Sequence, residues 1–255
     1  MRLNRTIFSI LFVGIAATAA AVFYINKHVA PPDESTEAKT TITQQPTVEQ
    51  KSNNTTATDS SFTTLNSAFL RVPFTPQAPT GNWDQLHNEA CEEASAIMTH
   101  EYFSGNTTPT LPSNLVEDEL SQITTWEQDH FGYYLDINSG ETGQLLQDYY
   151  GLNAKVVTNF TEDYIKTELS QNHAVLLPAN GILLGNPNFR NPGPPYHMLV
   201  IKGYTETEFI TNDPGTRKGL NYPYTFNTLY NANGDYDHTS HSVDTNKKNI
   251  IVVWK

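Results

Sequence analysis

The sequence predicts an α+β domain in which helices come first along the chain and an antiparallel sheet follows. Amphipathic patterns with apolar residues three and four positions apart fill the folded region up to Gln171. Short runs rich in β-branched residues, separated by Gly, Pro and Asn clusters, fill the part after it. Helices followed by strands are typical of α+β folds, in which helices pack against a sheet.

Residues 1–29 predict a membrane segment that exports the rest of the chain. Residues 6–25 contain no charged residue, and Arg2 and Arg5 precede them. A helix of that length spans about 30 Å, the thickness of a bilayer's hydrocarbon core, and the basic residues favour a cytoplasmic N-terminus. A cleaved signal peptide is the alternative, with Ala-Thr-Ala at residues 17–19 as the cleavage site. We therefore expect a single-pass protein of the cell membrane with an extracytoplasmic domain, or a secreted protein after cleavage.

Residues 30–66 predict a disordered linker. They consist mainly of Thr, Ser, Gln, Glu, Pro and Asn, with scarcely an apolar residue. Such a segment cannot bury enough apolar surface to offset the entropy lost on ordering. The folded domain is expected over residues 67–255.

The charge balance excludes some classes of partner. The chain has 27 Asp and Glu against 15 Lys and Arg, a formal net charge of −12. Because binding to phosphate requires a basic face, we expect no nucleic-acid partner. No paired spacing such as HxxxH or CxxC occurs, so we expect no metal and no cofactor.

Four helices are predicted, at residues 88–103, 113–129, 142–150 and 161–171. Apolar residues three and four positions apart indicate the first of them: Ala90, Ala94, Ile97, Met98 and Tyr102. The second follows Pro112, and its buried side is expected to carry Leu115, Leu120 and Ile123. Thr161 is the expected N-cap of the fourth.

One strand is predicted directly after Gly151, and four more are predicted from short β-rich runs: HAVLLPA, HMLVIKGY, EFITNDP and NIIVVWK. The second and third of these runs are separated by only a short turn, so we expect them to be antiparallel neighbours in the sheet. This pairing brings the first residue of one run close to the last residues of the next.

Cys91 is the only cysteine in the chain, so it cannot form an internal disulfide. It is either a buried, inert residue or a nucleophile. Its place in the first turn of a predicted helix favours the thiolate, because the partial positive charge there stabilises an anion. Glu89, Glu92 and Glu93 act in the opposite direction, since nearby anions raise the pKa of a thiol.

A nucleophilic thiol needs a base and a third group that orients the base. His197 opens the run HMLVIKGY, and Asp213 ends the neighbouring run, within reach of the His197 ring. Taken alone, His197 is as readily a loop residue, and Asp213 before Pro-Gly is a typical turn residue. Gln77 is a candidate oxyanion-hole donor, although spacing alone does not distinguish it from any other Gln.

Three segments resemble the peptidase C39-like family: VPFTPQAPTGNWDQLHNEACEEAS, GILLGNPNFRNPGPPYHMLVIKGY and FITNDPGTRKGLNYPYTF. The resemblance implies a papain-like cysteine peptidase fold from about Leu70 to the C-terminus. It also implies Cys91 as nucleophile, His197 as general base and acid, Asp213 as orienting carboxylate and Gln77 as oxyanion-hole donor.

The chain departs from the bacteriocin-processing members of that family. A longer insert, APTGNWDQLHNEA, separates Gln77 from Cys91, and no GxxxxGK[ST] motif is present, so ATP-driven export is not implied. The segment GDYDHTS, residues 234–240, has no evident role. The expected function is a membrane-tethered, extracytoplasmic cysteine peptidase acting on a peptide or protein. The alternatives are a cell-wall peptide amidase or an acyltransferase with the same residues, and a non-catalytic peptide-binding domain.

Overall fold

A computed structural model describes residues 67–255. The predicted membrane segment, residues 1–29, and the predicted linker, residues 30–66, lie outside the described residues. Among the helices of residues 67–255, none has the length and apolar character required to cross a bilayer.

The elements alternate along the described chain, with most of the helical residues before Gln171. The helices are α1 (Gln85–Asn88), α2 (Cys91–Phe103), α3 (Ser113–His130), α4 (Ser139–Gln144), α5 (Glu162–Ser170), α6 (Gly181–Leu184) and α7 (Phe226–Ala232). The strands are β1 (Ala68–Phe69), β2 (Asn153–Thr158), β3 (Ala174–Ala179), β4 (His197–Tyr204), β5 (Phe209–Asn212), β6 (Tyr222–Tyr224), β7 (Asp235–Asp237), β8 (Ser242–Asp244) and β9 (Asn249–Trp254).

The main sheet is antiparallel throughout and runs in the order β2-β9-β3-β4-β5-β6, with β1 also paired to β4. All eight residues of β4 are buried, as expected for a central strand covered on both faces. Helix α2 packs on β4, and α3 packs on α2. The prediction of an α+β fold, with N-terminal helices packed on a mainly C-terminal antiparallel sheet, is confirmed.

The predicted helix at 88–103 begins later than expected. Residues 85–88 form the separate one-turn helix α1, whose N-cap Asp84 accepts a hydrogen bond from the His87 backbone N–H at 3.1 Å. Glu89 and Ala90 then leave the helical conformation, with ψ angles of 9° and 31°. As a consequence, Cys91 is the first residue of α2.

Helix α3 matches its prediction in extent but not in every buried residue. Leu120 and Ile123 are buried, whereas Leu115 is 59% exposed. The buried face follows Val116, at spacings of four and seven residues, and Leu115 lies one helical position away from that face. The expectation for Leu115 was therefore wrong.

The third predicted helix begins earlier than expected, and the fourth agrees. Helix α4 begins at Ser139 because Asn138 and Glu141 form a capping box, and the π-helical turn Leu145–Tyr149 continues it. Thr161 caps α5 by accepting a hydrogen bond from the Tyr164 N–H at 3.1 Å, as predicted.

The predicted strands correspond to β2, β3, β4, β5 and β9, but shorter elements were missed. These are β1, α6, α7, β6 and the β7–β8 hairpin. The hairpin contains the segment that had no evident role in the sequence. Its contacts lie next to the candidate site and are described there.

Candidate active site

The antiparallel pairing of β4 and β5 brings His197 and Asp213 together. His197 is the first residue of β4, and Asp213 directly follows the last residue of β5. The two side chains are fully buried, and His197 Nε2 lies 2.8 Å from Asp213 Oδ1. The sheet therefore fixes the pair that the sequence predicted.

Asp213 accepts hydrogen bonds at both carboxylate oxygens. Oδ2 accepts from the Tyr224 hydroxyl at 2.7 Å and from Asn186 Nδ2 at 3.0 Å. Oδ1 accepts from the Gly215 backbone N–H at 3.0 Å in addition to the His197 ring. Burial alone would raise the pKa of Asp213, but the charge of His197 and these hydrogen bonds lower it below its usual value. Asp213 therefore stays ionised.

The Asp213 contact leaves the other ring nitrogen of His197 available. With Nε2 donating to the carboxylate, Nδ1 is buried and has no hydrogen-bond partner among the described residues. The Phe189 ring packs edge-on against the imidazole, with centroids 5.2 Å apart. Gly215 covers it from another side, where an added Cβ would lie 2.9 Å from His197 Cε1. A basic nitrogen is thus held in place inside an enclosed site.

Cys91 lies at the start of α2, which Ser95 fastens to β4 by a 3.3 Å hydrogen bond to the Met198 carbonyl. The thiol is buried, and Sγ donates to Glu92 Oε2 at 2.9 Å. Burial, followed by the charge of Glu92, raises the pKa of the Cys91 thiol well above its ordinary value. No hydrogen bond joins Sγ to His197 in residues 67–255. The helix of Cys91 and the strand of His197 are therefore in contact, while the thiol proton is directed towards Glu92.

Glu92, which contacts the thiol, belongs to a cluster of three buried glutamates. Glu92, Glu93 and Glu127 are each at most 1% exposed, and burial raises the pKa of all three carboxyls. Glu92 Oε1 has no donor in the described residues. Both Glu127 oxygens and Glu93 Oε2 also lack a hydrogen-bond partner there, and the two carboxyls lie side by side. Burial on this side of the site therefore favours the protonated form of the carboxyls.

A second carboxyl pair lies closer to the surface. Glu89 lies beside Asp136, and burial, together with the Asp136 charge, raises the pKa of Glu89 to about 7. Tyr236 in β7 also lies beside Asp136, and burial, followed by the Asp136 charge, raises the pKa of its hydroxyl. The acidic groups therefore continue from the nucleophile towards the β7–β8 hairpin.

The segment 234–240 supports this acidic region. His238 Nε2 lies 2.8 Å from Glu141 Oε2, and the Tyr133 hydroxyl contacts both groups. Asp235 Oδ1 accepts from the Ser139 backbone N–H at 2.9 Å. The hairpin thus fastens the loop that contains Asp136, which gives the segment a structural role.

Gln77 lies beside the site, but its amide group is already hydrogen bonded. Nε2 donates to the carbonyls of His87 and Asn88 at 2.9 and 3.1 Å, so both amide protons are engaged. Oε1 is buried and has no donor among the described residues. The Gln77 backbone N–H donates to the Pro214 carbonyl at 2.9 Å, which places the residue next to Asp213.

His87 supplies one of the two carbonyls that Gln77 contacts, and two carboxylates fix the position of its ring. Its Nδ1 lies 2.7 Å from Asp84 and its Nε2 lies 2.8 Å from Glu117. Burial would lower the pKa of His87, but the two carboxylates outweigh it and raise the pKa. No local sequence signal indicates the contact between His87 and Glu117, because the two residues are 30 positions apart along the chain.

A cleft of about 770 Å³ opens next to the buried groups. Its walls come from the segment before α2, the segment before β4 and the turn after Asp213. They include Gln77, Trp83, Glu89, Arg190, Tyr196 and Gly215. Within residues 67–255, no group of three His, Cys, Asp or Glu side chains is arranged to hold a metal ion.

Comparison with known proteins gives one family. A model of the Peptidase_C39 like family matches residues 69–242. Among solved structures, one similar chain is a crystal structure from Bacillus anthracis described as a C39-like peptidase, with 16% identity and a TM-score of 0.48. The match covers 74% of this chain and 98% of that one. No curated protein matches the chain.

Proposed function

The chain belongs to the Peptidase_C39 like family, and we propose that it is a cysteine peptidase whose catalytic residues are Cys91, His197 and Asp213. One observation carries this proposal. A fully buried His197–Asp213 pair leaves Nδ1 of the imidazole unpaired, on the strand against which the helix of the only cysteine packs. A base with an orienting carboxylate beside a thiol is the arrangement that nucleophilic catalysis requires.

In the proposed reaction, His197 Nδ1 takes the thiol proton and Cys91 Sγ attacks the carbonyl carbon of a peptide bond. The resulting imidazolium, stabilised by Asp213, gives its proton to the leaving amine when the C–N bond breaks. Water then attacks the thioester while His197 accepts a water proton. The acyl group leaves as a carboxylic acid, and the proton returns to Sγ.

The proposed reaction begins with a change at the thiol. In the structure Sγ donates to Glu92, so rotation about the Cα–Cβ bond of Cys91 exchanges that acceptor for His197 Nδ1. A protonated Glu92 favours this exchange, because a neutral carboxyl does not repel the thiolate that forms. The raised pKa of Glu92, caused by burial and by Glu93, keeps it protonated.

The oxyanion needs donors near Sγ. The backbone N–H of Cys91 has no acceptor among the described residues and lies at the positive end of a 13-residue helix, which supports its use as one donor. Gln77 is the proposed second donor. This role requires that its amide release the carbonyl of His87 or Asn88 when substrate binds.

Digestion of a peptide library, followed by mass spectrometry, tests the proposal. We expect cleavage by the wild-type domain and none by Cys91→Ala or His197→Ala. Alkylation of Cys91 by iodoacetamide at neutral pH gives a second readout, since a thiol paired with His197 reacts faster than the same thiol in His197→Ala. Equal alkylation rates in the two proteins would refute the proposed base.

A non-catalytic peptide-binding domain is the second candidate. The observation that favours it is that both Cys91 Sγ and the Gln77 amide are already hydrogen bonded to other groups of the protein. In this case wild type and Cys91→Ala bind the same peptides with equal affinity, and neither cleaves them.

Adding a primary amine to the library digestion also separates hydrolysis from acyl transfer, because transfer yields amide products of a different mass.

We also propose that the domain is held outside the cytoplasm by residues 6–25, which carry no charge and follow Arg2 and Arg5. Fractionation of the full-length protein, with protease treatment of intact cells, tests this location. Mass spectrometry of the N-terminus of the mature protein distinguishes a retained anchor from cleavage after residues 17–19. Protection of the domain from external protease in intact cells, with digestion after lysis, would contradict the proposal.

A further inference from the structure

The cleft beside the catalytic groups concentrates positive charge in an acidic protein. Residues 67–255 contain 10 Lys and Arg against 22 Asp and Glu. Three of the ten, Arg190, Arg217 and Lys218, line this cleft. All three are exposed, and none forms an ion pair within the described residues, although acidic groups outnumber basic ones by more than two to one.

The insert between Gln77 and Cys91 positions two of these cations. The Arg190 guanidinium lies over the Trp83 ring, 5.8 Å from its centroid. The Arg217 guanidinium packs against Gly81, where an added Cβ would lie 2.5 Å from Nη2. Gly81 also has a φ of +82°, which favours glycine. The insert thus holds the two guanidinium groups at the cleft without neutralising them.

Within residues 67–255, only one acidic side chain lines the same cleft. This is Glu89, whose pKa is raised to about 7 by burial and by the charge of Asp136. At mildly acidic pH Glu89 is therefore mostly uncharged. Among the described residues, the cations then face the cleft with no opposing charge on its walls.

The cations are also close in sequence to residues that touch the proposed base. Arg190 follows Phe189, which packs against the imidazole of His197. Arg217 and Lys218 follow Gly215, which covers the same ring. A negatively charged group bound by these side chains therefore lies near the bond that His197 and Cys91 would act on.

We propose that the cleft selects peptides that carry carboxylates close to the scissile bond, and that Arg190, Arg217 and Lys218 determine this preference. The inference rests on the proposed peptidase function for its catalytic consequence, but not for binding. Guanidinium groups recognise carboxylates through paired N–H donors, and an unpaired cation on an acidic protein attracts an acidic ligand against the overall repulsion. Asp and Glu side chains and a free C-terminus offer the same carboxylate chemistry.

The first experiment profiles the cleavage sites of the wild-type domain in a peptide library. We expect Asp and Glu to be enriched within three positions of the cut bond. The double variant Arg190→Glu/Arg217→Glu should lose about tenfold in kcat/KM for acidic sites and gain activity on Lys-containing sites. A wild-type profile without enrichment of acidic residues would overturn the inference.

A matched control separates the effect of the cleft cations from the effect of the protein's net charge. Arg71→Glu/Lys155→Glu changes the net charge by the same amount, and both residues are exposed, have no ion pair in the described residues and do not line the cleft. This control should keep the wild-type preference. An equal loss in the control and in the cleft variant would contradict a role of the cleft cations.

A binding experiment distinguishes failure of this inference from failure of the proposed function. Cys91→Ala is titrated with acetyl-(Glu-Ala)4-amide, acetyl-(Lys-Ala)4-amide and acetyl-(Gln-Ala)4-amide, and with the Gln peptide bearing a free C-terminus. Tighter binding of the Glu peptide, lost in the cleft variant, supports side-chain carboxylates even when the wild type cleaves nothing. Tighter binding only with the free C-terminus assigns the cations to the terminal carboxylate. Equal binding of all four peptides contradicts the inference, whatever the cleavage result.

Discussion

The two halves of the candidate site differ in how their polar groups are satisfied. On the side of the base, Asp213 receives donors from the His197 ring, the Tyr224 hydroxyl, the Asn186 amide and the Gly215 backbone. On the side of the nucleophile, buried carboxyl oxygens of three glutamates lack donors. One half is a complete hydrogen-bond network, and the other is a cluster of acids.

This difference shows how a thiol can lie among glutamates without being surrounded by negative charge. A carboxylate with several donors remains ionised, whereas a buried carboxyl without donors takes up a proton. The charge of the site is therefore concentrated in the His197–Asp213 pair. The carboxyls near Cys91 are neutral when protonated and become negative as pH rises, so their effect on the thiol depends on pH.

Replacing His197 by Ala is expected to have the largest effect. Loss of the base should lower kcat by about 10³-fold or more in a peptide cleavage assay. His173→Ala is the matched control, because His173 also contacts a carboxylate, Glu168 at 2.6 Å, but lies outside the site. Comparable losses in both variants would point to damaged folding in place of lost catalysis.

Asp213→Asn should lower kcat by about 10²-fold or more, since the amide does not stabilise the imidazolium that forms during the reaction. The pH dependence of unfolding gives an independent readout. Because the folded-state pKa of Asp213 is lowered, its stabilising effect is present above its usual pKa of 3.8 and is lost as pH falls through the folded-state value. In urea unfolding, the free energy of unfolding of the variant should not show this decrease at acidic pH. If the two proteins show the same dependence, Asp213 does not hold a lowered pKa.

Glu92→Gln should increase the reactivity of Cys91 at alkaline pH. Burial and Glu93 keep Glu92 protonated at neutral pH, so the two proteins should be alkylated at similar rates there. Once Glu92 ionises, the carboxylate repels the thiolate whereas the amide can still donate to it, so alkylation of the variant should be about tenfold faster, equivalent to one unit of pKa. Glu93→Gln is the control, since Glu93 is equally buried but has no hydrogen bond to Sγ. Slower alkylation of Glu92→Gln would mean that the carboxylate itself assists the thiol.

Glu93→Gln should remove the loss of stability that burial of Glu93 causes as pH rises. Burial raises the pKa of Glu93 from 4.5 to about 7, so its contribution is fully present below pH 4.5 and is lost as pH rises through about 7. In the variant, no group at this position ionises. Wild type should lose at least about 1 kcal/mol more than the variant between mildly acidic and mildly alkaline pH, measured by urea unfolding. Parallel curves would contradict a raised pKa of Glu93.

Much of the fold and part of the site could be predicted from the sequence. Periodicity located the main helices and strands, and antiparallel pairing of adjacent runs brought Asp213 to His197. The start of α2 was misplaced because Glu89 and Ala90 suit a helix by composition but adopt other backbone angles. That difference of three residues makes Cys91 the first residue of α2.

The remaining site contacts depend on residues far apart in the chain. Asn186 and Tyr224 reach Asp213 from segments 27 and 11 residues away, so no local pattern indicates them. The amide of Gln77 is engaged by carbonyls ten and eleven residues later, within the insert. Sequence spacing indicated where Gln77 lies but not which hydrogen bonds its amide makes.

The short strand β1 determines where a mechanical load would enter the domain. It pairs with the end of β4, through Ala68 with Tyr204 and Phe69 with Gly203. His197 lies at the opposite end of the same strand, about 23 Å from Tyr204 at the rise of an extended chain. A force on the chain before β1 therefore acts first on a pairing of only two residues, whose hydrogen bonds can break one after the other. The proposed catalytic pair lies beyond that point, so tension on the N-terminal segment would peel off β1 before it reached His197.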